Sequence, residues 1–427
     1  NVGKMHPHLD FDLLKAQYEA TREIGVNAVI YVSSGVDNMK AEERPEWREM
    51  SIEGCFQGWT GPINRPGFKT LCFNSPYMDY LCEQTREVVE LYPDCNGIFS
   101  DIISQSECCC NSCLDYMRKH GLDPDKAEDR QVCRDAALIK YYSEFTAAAR
   151  HTNPEMPVFH NSGHIDKSRR DLLQYFSHLE LESLPTGGWG YDHFPMSAKY
   201  SATTGLDYLG MTGKFHTTWG EFGGFKHPNA LRYECAQMLA FGSKCSVGDQ
   251  LHPNGEMDMS TYKLIGAAYK EVEEKEKWCD DVVGIADIAV LSSEAECGDR
   301  APDTGAGRIL LEGHFLFDLI DRTTDFKPYK LLILPDMIRI DNDLKSKIDQ
   351  YTAGGGKILL TGKSGMKKDA EEFAVDIGAE YHGQSPHQPD YLEGGSTLGV
   401  SFLETPLVMY LPSQQVKATA GEVLAGI

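Results

Sequence analysis

Three cysteines within six residues, Cys108-x-Cys110-x-x-Cys113, carry the strongest chemical signal in this chain. Thiolates at this spacing can converge on one tetrahedral zinc ion. A fourth ligand must come from elsewhere. Cys72, in Thr-Leu-Cys-Phe-Asn-Ser-Pro, is the best candidate, because it precedes the helix that leads into the strand before the cluster. Cys109 points the other way in an extended loop. Four protein ligands with no open position would make the zinc structural. The plain alternative is a set of buried thiols that bind nothing.

Carboxylates at strand ends come next. In Gly97-Ile-Phe-Ser-Asp-Ile102, Phe99 and Asp101 share one face by the period-two rule. In Leu179-Glu-Leu-Glu-Ser183 the two leucines face helices, so Glu180 and Glu182 face the opposite side, Glu182 nearer the mouth. Glu221 lies in Trp219-Gly-Glu-Phe-Gly-Gly224, and the last strand of the series ends in Gly248-Asp249-Gln250-Leu-His252. One such residue alone reads as a helix cap or an ion-pair member. Several around one mouth repel, which keeps an acid available beside a nucleophile. Glycoside hydrolysis needs that arrangement, two carboxyl groups flanking the bond, and Asp101, Glu182, Glu221 and Asp249 are the candidates.

The neighbouring residues suit a sugar. His160, Asn161 and His164 follow one strand. Trp189, Tyr191, Asp192 and His193 follow the next, and His216 and Trp219 the third. With Asp249 and His252 they offer hydrogen bonds to hydroxyls and aromatic platforms for C–H faces. Any single histidine reads as a structural one. No His-x-His or His-Glu-x-x-His spacing occurs in these loops to support a histidine metal centre.

The elements that must position these groups alternate strand and helix. The expected strands are Ala28–Ser33, Gly97–Ile102, Val158–Ser162, Leu179–Ser183, Tyr208–Thr212 and Lys244–Gly248. The expected helices are Asp12–Glu23, Pro76–Leu91, Gln131–Arg150, Ser168–Tyr175, His193–Thr203, Pro228–Ala240 and Ser260–Glu276. This alternation predicts parallel βα units. Six units fall short of the eight of a (β/α)8 TIM barrel, so the expectation is a barrel whose first two βα units are missing from this chain. An open doubly wound sheet is the rival, but no Gly-rich phosphate turn follows any strand.

A second α/β block begins near Gly284. Its expected elements are a strand Ile285–Ser292, a helix Gly305–Ile320, a strand Lys330–Leu334, a helix Asn342–Thr352 and a strand Lys357–Thr361. Its outline is flavodoxin-like, of the class I amidotransferase-like kind, with no Gly-x-Cys-x-Gly elbow. It therefore reads as an assembly element. The expected domains are residues 1–283 (incomplete catalytic barrel), 284–380 (α/β domain) and 381–427 (a partial β-rich extension).

Lys+Arg total 41 against Asp+Glu 64, a net charge of −23. That balance argues against a phosphate-binding surface and hence a nucleic-acid partner. No apolar run approaches the ~18 residues of a membrane span. Thirteen cysteines, an odd number, in so long a chain argue against a disulfide scaffold. A reducing compartment, the cytoplasm, is expected.

Together these motifs resemble the glycoside hydrolase family 42 β-galactosidases and, more closely, the bacterial α-L-fucosidases of glycoside hydrolase family 151. The stretches that carry the resemblance are Lys4-Met-His-Pro, Leu71-Cys-Phe-Asn-Ser-Pro76, Gly97–Ile102, Asn161-Ser-Gly-His-Ile165, Leu179–Pro195, Trp219–His227 and Gly248–Pro253. The resemblance implies a four-Cys zinc site, a trimerisation domain and two strands upstream of Asn1. Family 42 uses an Asn-Glu pair at its fourth strand and a Glu at its seventh. Here those positions hold Ser-Asp-Ile and Gly210-Met-Thr-Gly-Lys-Phe, so the implied nucleophile is Asp101. The expected protein is an exo-acting retaining glycosidase, an α-L-fucosidase, acting on a small oligosaccharide or glycoside as a homotrimer. The alternatives are a β-galactosidase-like enzyme, or a non-catalytic sugar-binding or assembly protein on a decayed barrel.

Overall fold

The structure, a computed structural model, describes residues 5–59, 67–393 and 404–426. Lys4, which opens one resembling stretch, lies outside the described residues. The rest gather into two compact units. The first takes the described residues of Asn1–Ile165 with Arg170–Glu182 and Leu206–Leu209. The second takes Asp166–Arg169, Ser183–Gly205 and the described residues of Gly210–Ile427.

The first unit runs through α1 (Leu13–Glu23), β1 (Val29–Ser33), α2 (Asn38–Glu43), the short strands β2 (Gly58–Trp59) and β3 (Phe68–Lys69), α3 (Tyr77–Leu91), β4 (Gly97–Asp101), α4 (Asn111–His120), α5 (Ala127–Ala149), β5 (Val158–His160) and β6 (Leu179–Glu182). Strands β1, β4 and β5 form a parallel sheet in that order. Its register sets Ser33 opposite Asp101 and Ser100 opposite His160. Tyr31, Phe99 and Phe159 thus stand in one row, with ring centroids 5.7 and 5.4 Å apart. Ile30, Ile98 and Val158 point the other way, into a core shared with α3 and α5. Helix α3 buries Tyr77, Met78, Leu81, Cys82, Thr85 and Val89, a stripe of i, i+4 spacing. Each large apolar side chain so buried stabilises the fold by about 1.5–3 kcal/mol.

Helices α2, α4 and α5 differ from expectation, α2 being absent from the expected set. The stretch after β4, read from the sequence as an extended loop, turns into helix α4 at Asn111. Helix α5 starts at Ala127, not Gln131.

The second unit contains α6 (His193–Ser201), the last four residues of β7 (Tyr208–Gly213), α7 (Pro228–Ala240), β8 (Lys244–Gly248) and α8 (Met259–Lys275). It continues with β9 (Ile288–Leu291), α9 (Ser293–Cys297), α10 (Ala301–Glu312), β10 (Phe317–Ile320), β11 (Leu331–Leu334), α11 (Asn342–Ala353) and β12 (Lys357–Leu360). A parallel sheet has the order β10-β9-β11-β12, as doubly wound sheets do. The expected helix Gly305–Ile320 is a correction. It stops at Glu312 before Gly313, and Phe317–Ile320 is an edge strand. A short apolar run cannot be assigned by periodicity alone. Towards the C-terminus, β13 (Ala379–Gln384) pairs antiparallel with a later strand, β16 (Gln414–Ala418). Between them β14 (Asp390–Leu392) pairs with β15 (Leu407–Met409). Among the described residues no helix is long and apolar enough to cross a membrane.

Candidate active site

In the first unit, strand ends bring two carboxylates to one amide. Asn161, just past β5, donates from Nδ2 to Asp101 Oδ1 at 2.8 Å and to Glu182 Oε2 at 2.7 Å. The two bonds share a nitrogen, so these oxygens are at most 2.8 plus 2.7, or 5.5 Å, apart. Sequence reasoning gave Asn161 to the sugar; its amide instead holds the two acids.

Asp101 is gripped on both oxygens. The Tyr31 hydroxyl donates to Oδ2 at 2.6 Å, and the Ile102 N–H donates to Oδ1 at 2.8 Å. Burial of the hydroxyl and its bond to Asp101 hold the Tyr31 phenol far above its ordinary range, so it stays protonated as a donor. Tyr31 was missed in the sequence; its alternation with Val29 and Ser33 on a strand was the only signal. Ile102 takes φ 61°, a costly conformation for a β-branched residue. That turn folds its N–H onto the Asp101 side chain. Its carbonyl packs against Gly35, where a Cβ would lie 1.8 Å from the oxygen.

His160 is a correction. It is 1% exposed, with Nδ1 3.0 Å from the Tyr141 hydroxyl and Nε2 3.1 Å from Thr146 Oγ1. The strand ends at His160, so alternation turns its side chain toward α5, away from Asp101. Burial pushes the imidazole down to about 3. His164 lies in the loop that follows, where its carbonyl accepts from Ser162 Oγ at 3.0 Å. Glu180 bonds His178 Nε2 at 2.9 Å.

In the second unit, a loop closes at its base: Lys226 N–H reaches the Lys214 carbonyl at 2.9 Å, and Lys214 N–H the Gly248 carbonyl at 3.0 Å. The buried Lys226 ammonium pins it to Glu234 of α7 and Thr212 of β7. Trp219 sits in this loop against Gly213 and Gly248, where added Cβ atoms would approach its ring to 2.9 and 2.5 Å. Glu221 turns back on the loop and accepts from the Thr217 N–H at 2.7 Å, from the Thr217 hydroxyl at 2.8 Å and from the His216 N–H. The Thr217 N–H, foremost among these donors, holds its carboxyl below the ordinary range, an environment suited to a loop anchor and poorly suited to a general acid.

Other expected sugar contacts have protein partners. Asp192 forms a two-pronged ion pair with Arg308, and the Tyr191 hydroxyl bonds Glu234 at 3.3 Å. His193 heads α6 with Trp189 edge-on at 4.9 Å. Exposed Asp249 lies beside Tyr262, whose phenol is pushed up first by burial and then by that charge. His252 packs on Phe222 at 5.2 Å, with Nε2 3.9 Å from Asp258. The exposed His216 side chain borders the Glu221 anchor.

The cysteines converge. Cys72, Cys108, Cys110 and Cys113 are at most 2% exposed, with sulfurs all within 4.8 Å of one another. The spread is slightly wider than the ~4 Å that bonds of ~2.3 Å to one ion would set. Cys110 is the N-cap of α4 and Cys113 lies three residues on, so both sulfurs meet the positive helix end. The Met50 and Cys110 N–H groups donate to Cys108 at 3.4 Å, Asn74 to Cys113 at 3.5 Å and Gln105 to Cys72 at 3.6 Å. Hydrogen bonding from Cys108 lowers Cys110 and raises Cys113: one charge ionises easily and its neighbours then resist. Four thiolates here require a cation, and this soft donor set suits zinc. Cys109 is outside the group, buried, with its N–H on the Met50 carbonyl.

Comparison with known proteins adds two family matches. Residues 1–102 match the model of hypothetical glycosyl hydrolase 6, and residues 308–381 that of the beta-galactosidase trimerisation domain. Alpha-L-fucosidase isoenzyme 2 from Paenibacillus thiaminolyticus is 45% identical over 99% of this chain, with a TM-score of 0.93. The chain spans 65% of that protein's length. Gan42B, a GH42 beta-galactosidase from G. stearothermophilus, is 14% identical, with a TM-score of 0.76 over 98% of this chain and 74% of its own. The beta-galactosidase from Bacillus circulans sp. alkalophilus is 15% identical, with a TM-score of 0.75 over 99% and 76%. The last two speak to fold alone: an α/β fold whose neighbours are glycosidase TIM barrels. A 49-residue stretch, 12% of the chain, is 43% identical to 7% of Beta-galactosidase GanA of Bacillus subtilis.

Proposed function

We propose that this chain is part of an exo-acting retaining glycoside hydrolase, an α-L-fucosidase, in which Asp101 is the nucleophile and Glu182 the acid/base. The observation that carries this is the Asn161 amide, which holds one oxygen of each carboxylate within 5.5 Å of the other. Retaining glycosidases keep their carboxyls about 5–5.5 Å apart, and inverting ones leave room for a water between them. The likeness to an α-L-fucosidase over 99% of the chain supports the sugar.

In the first step Asp101 bonds the anomeric carbon as the glycosidic C–O bond breaks and Glu182 protonates the departing oxygen. In the second, Glu182 takes a proton from water, the water oxygen bonds the anomeric carbon, and Asp101 leaves as carboxylate. Tyr31 and the Ile102 N–H orient Asp101 throughout. Glu182 is preferred to Glu221 because Asn161 already joins it to Asp101, whereas Glu221 is spent on its loop.

Cys72, Cys108, Cys110 and Cys113 would hold one zinc ion, which supplies no catalysis and fixes the loop after β4. We propose in addition that the domains divide near residues 284 and 381, that the chain lacks two barrel units, and that the flavodoxin-like domain trimerises the protein. All thirteen cysteines are free, which supports a reducing compartment such as the cytoplasm.

A panel of nitrophenyl glycosides tests the activity. Release of nitrophenol from the α-L-fucoside, lost in Asp101→Asn, is expected. A protein spanning the whole length of its fucosidase relative that turns over no fucoside, galactoside or arabinoside would sink the proposal.

A further inference from the structure

Behind the sheet, on the face away from Asp101, runs a line of buried polar side chains. Ser34 Oγ is 2.5 Å from Ser100 Oγ, and Ser100 Oγ is 2.6 Å from the Tyr141 hydroxyl. The Tyr141 hydroxyl reaches His160 Nδ1 at 3.0 Å, and His160 Nε2 reaches Thr146 Oγ1 at 3.1 Å. None of the five is more than 5% exposed. Tyr77 closes one end by donating to the Ser34 carbonyl at 2.8 Å. The line ties the end of β1, β4 and β5 to α5.

We propose that this chain of hydrogen bonds, with Tyr141 at its centre, is the positioning apparatus for Asp101 and Asn161. The proposal rests on the reading of Asp101, Asn161 and Glu182 as the reactive set. Ser100 immediately precedes Asp101, and His160 immediately precedes Asn161. Alternation sends the first member of each pair backward and the second to the reactive face. Ser100 and His160 are also register partners across β4 and β5. Tyr141 bonds both, so one hydroxyl sets the offset of the two strands where the Asn161 amide must meet Asp101. The backbone bond from Asn161 N–H to the Ser100 carbonyl, 2.7 Å, carries that offset forward.

Packing alone does not explain these residues. An apolar core of the same shape would serve stability as well, because buried polar groups return little net energy once their desolvation is counted. What a fully satisfied polar line adds is a single allowed geometry. A neutral imidazole has one donor and one acceptor, and burial keeps His160 neutral. The hydroxyls can therefore all point one way along the line, each donating to the next.

Tyr141→Phe removes the central oxygen and leaves the ring. Crystal structures and steady-state kinetics of wild type and variant test the proposal, with Leu81→Ala of α3 as a control that thins the same core without touching the polar line. In Tyr141→Phe the Asn161 amide is expected to lose one carboxylate, its contact lengthening beyond about 3.5 Å. Turnover falls about tenfold or more while KM stays within about twofold. Leu81→Ala lowers the melting temperature and keeps both amide contacts and the turnover of wild type. If Tyr141→Phe does not fold, Ser100→Ala and Thr146→Val each remove one oxygen and carry the same expectation. Unchanged amide contacts in the variants that fold would overturn the proposal. Wild-type protein that hydrolyses no glycoside would overturn the proposed function instead, and the crystallographic comparison would still decide this one.

Discussion

Replacing Gly35 with alanine probes how rigidly the nucleophile is held. A Cβ at Gly35 would lie 1.8 Å from the Ile102 carbonyl oxygen, where no real Cβ comes closer than 3.0 Å. The Ile102 oxygen or the Gly35 backbone must therefore move by at least 3.0 minus 1.8, or 1.2 Å. The two nearest contacts are backbone, so no side-chain movement relieves them. Ile102 is bonded to Asp101 through the chain and through its N–H to Oδ1, and the shift passes to the carboxylate. Misplacement by ~1 Å costs about 100-fold in rate, and overpacking costs ~1–3 kcal/mol of stability. Gly266→Ala is the matched control: it lies within α8 with no atom within 4 Å of an added Cβ, and should gain ~0.5–1 kcal/mol. Initial rates on nitrophenyl α-L-fucoside and thermal melts read both variants. A Gly35→Ala protein that keeps turnover within about threefold of wild type would refute the claim that this strand end is rigid.

Three more outcomes are expected. Asn161→Asp keeps the shape and replaces a shared donor with a third carboxylate; turnover should fall about 100-fold with the fold retained by circular dichroism, and near-normal turnover would show that the amide does not organise the acids. Cys110→Ser should lower zinc from one ion per chain by elemental analysis and lower the melting temperature together; full zinc in the variant would exclude Cys110 as a ligand. His160 sets a pH dependence: burial holds it down to about 3 against an ordinary 6.5, so the unfolded chain takes the proton first. Its stability contribution is whole above pH 6.5 and is lost as pH falls toward 3, at up to about 1.4 kcal/mol per unit. Denaturant unfolding at pH 7.5 and 5.5 should differ by about 1.4 kcal/mol more in wild type than in His160→Gln, and an equal difference in both would exclude His160 as its source.

Much of this was legible in the sequence because it depends on period and spacing. Alternation placed Phe99 with Asp101, and Glu180 with Glu182, and the cysteine spacing pointed to one shared centre that Cys72 does reach. What escaped depends on distances across strands. His160 and Asn161 are adjacent in sequence, and only the last residue of β5 decides which one turns to the reactive face. Tyr31 is an ordinary strand aromatic until the register sets its strand beside β4. Asn161 could serve a sugar or two carboxylates equally well by composition. Helix α4 was hidden because its N-cap is a cysteine, outside the Ser, Thr, Asp and Asn that usually mark a helix start.

The indole of Trp219 and the ring of Phe215 fill space that side chains at Gly213 and Gly248 would need, so four positions share one volume. No one of them can be altered freely. At position 248 an added side chain meets the indole first, and at 213 it meets the Phe215 ring at 2.6 Å before the indole at 2.9 Å. Shrinking a ring comes first in any workable order of changes, the indole for position 248 and Phe215 as well for 213, and it opens a void until a second change fills it. A library that varies residue 219 alone samples holes, whereas one that varies all four samples differently shaped walls. For anyone reshaping this loop, the heritable unit is all four residues.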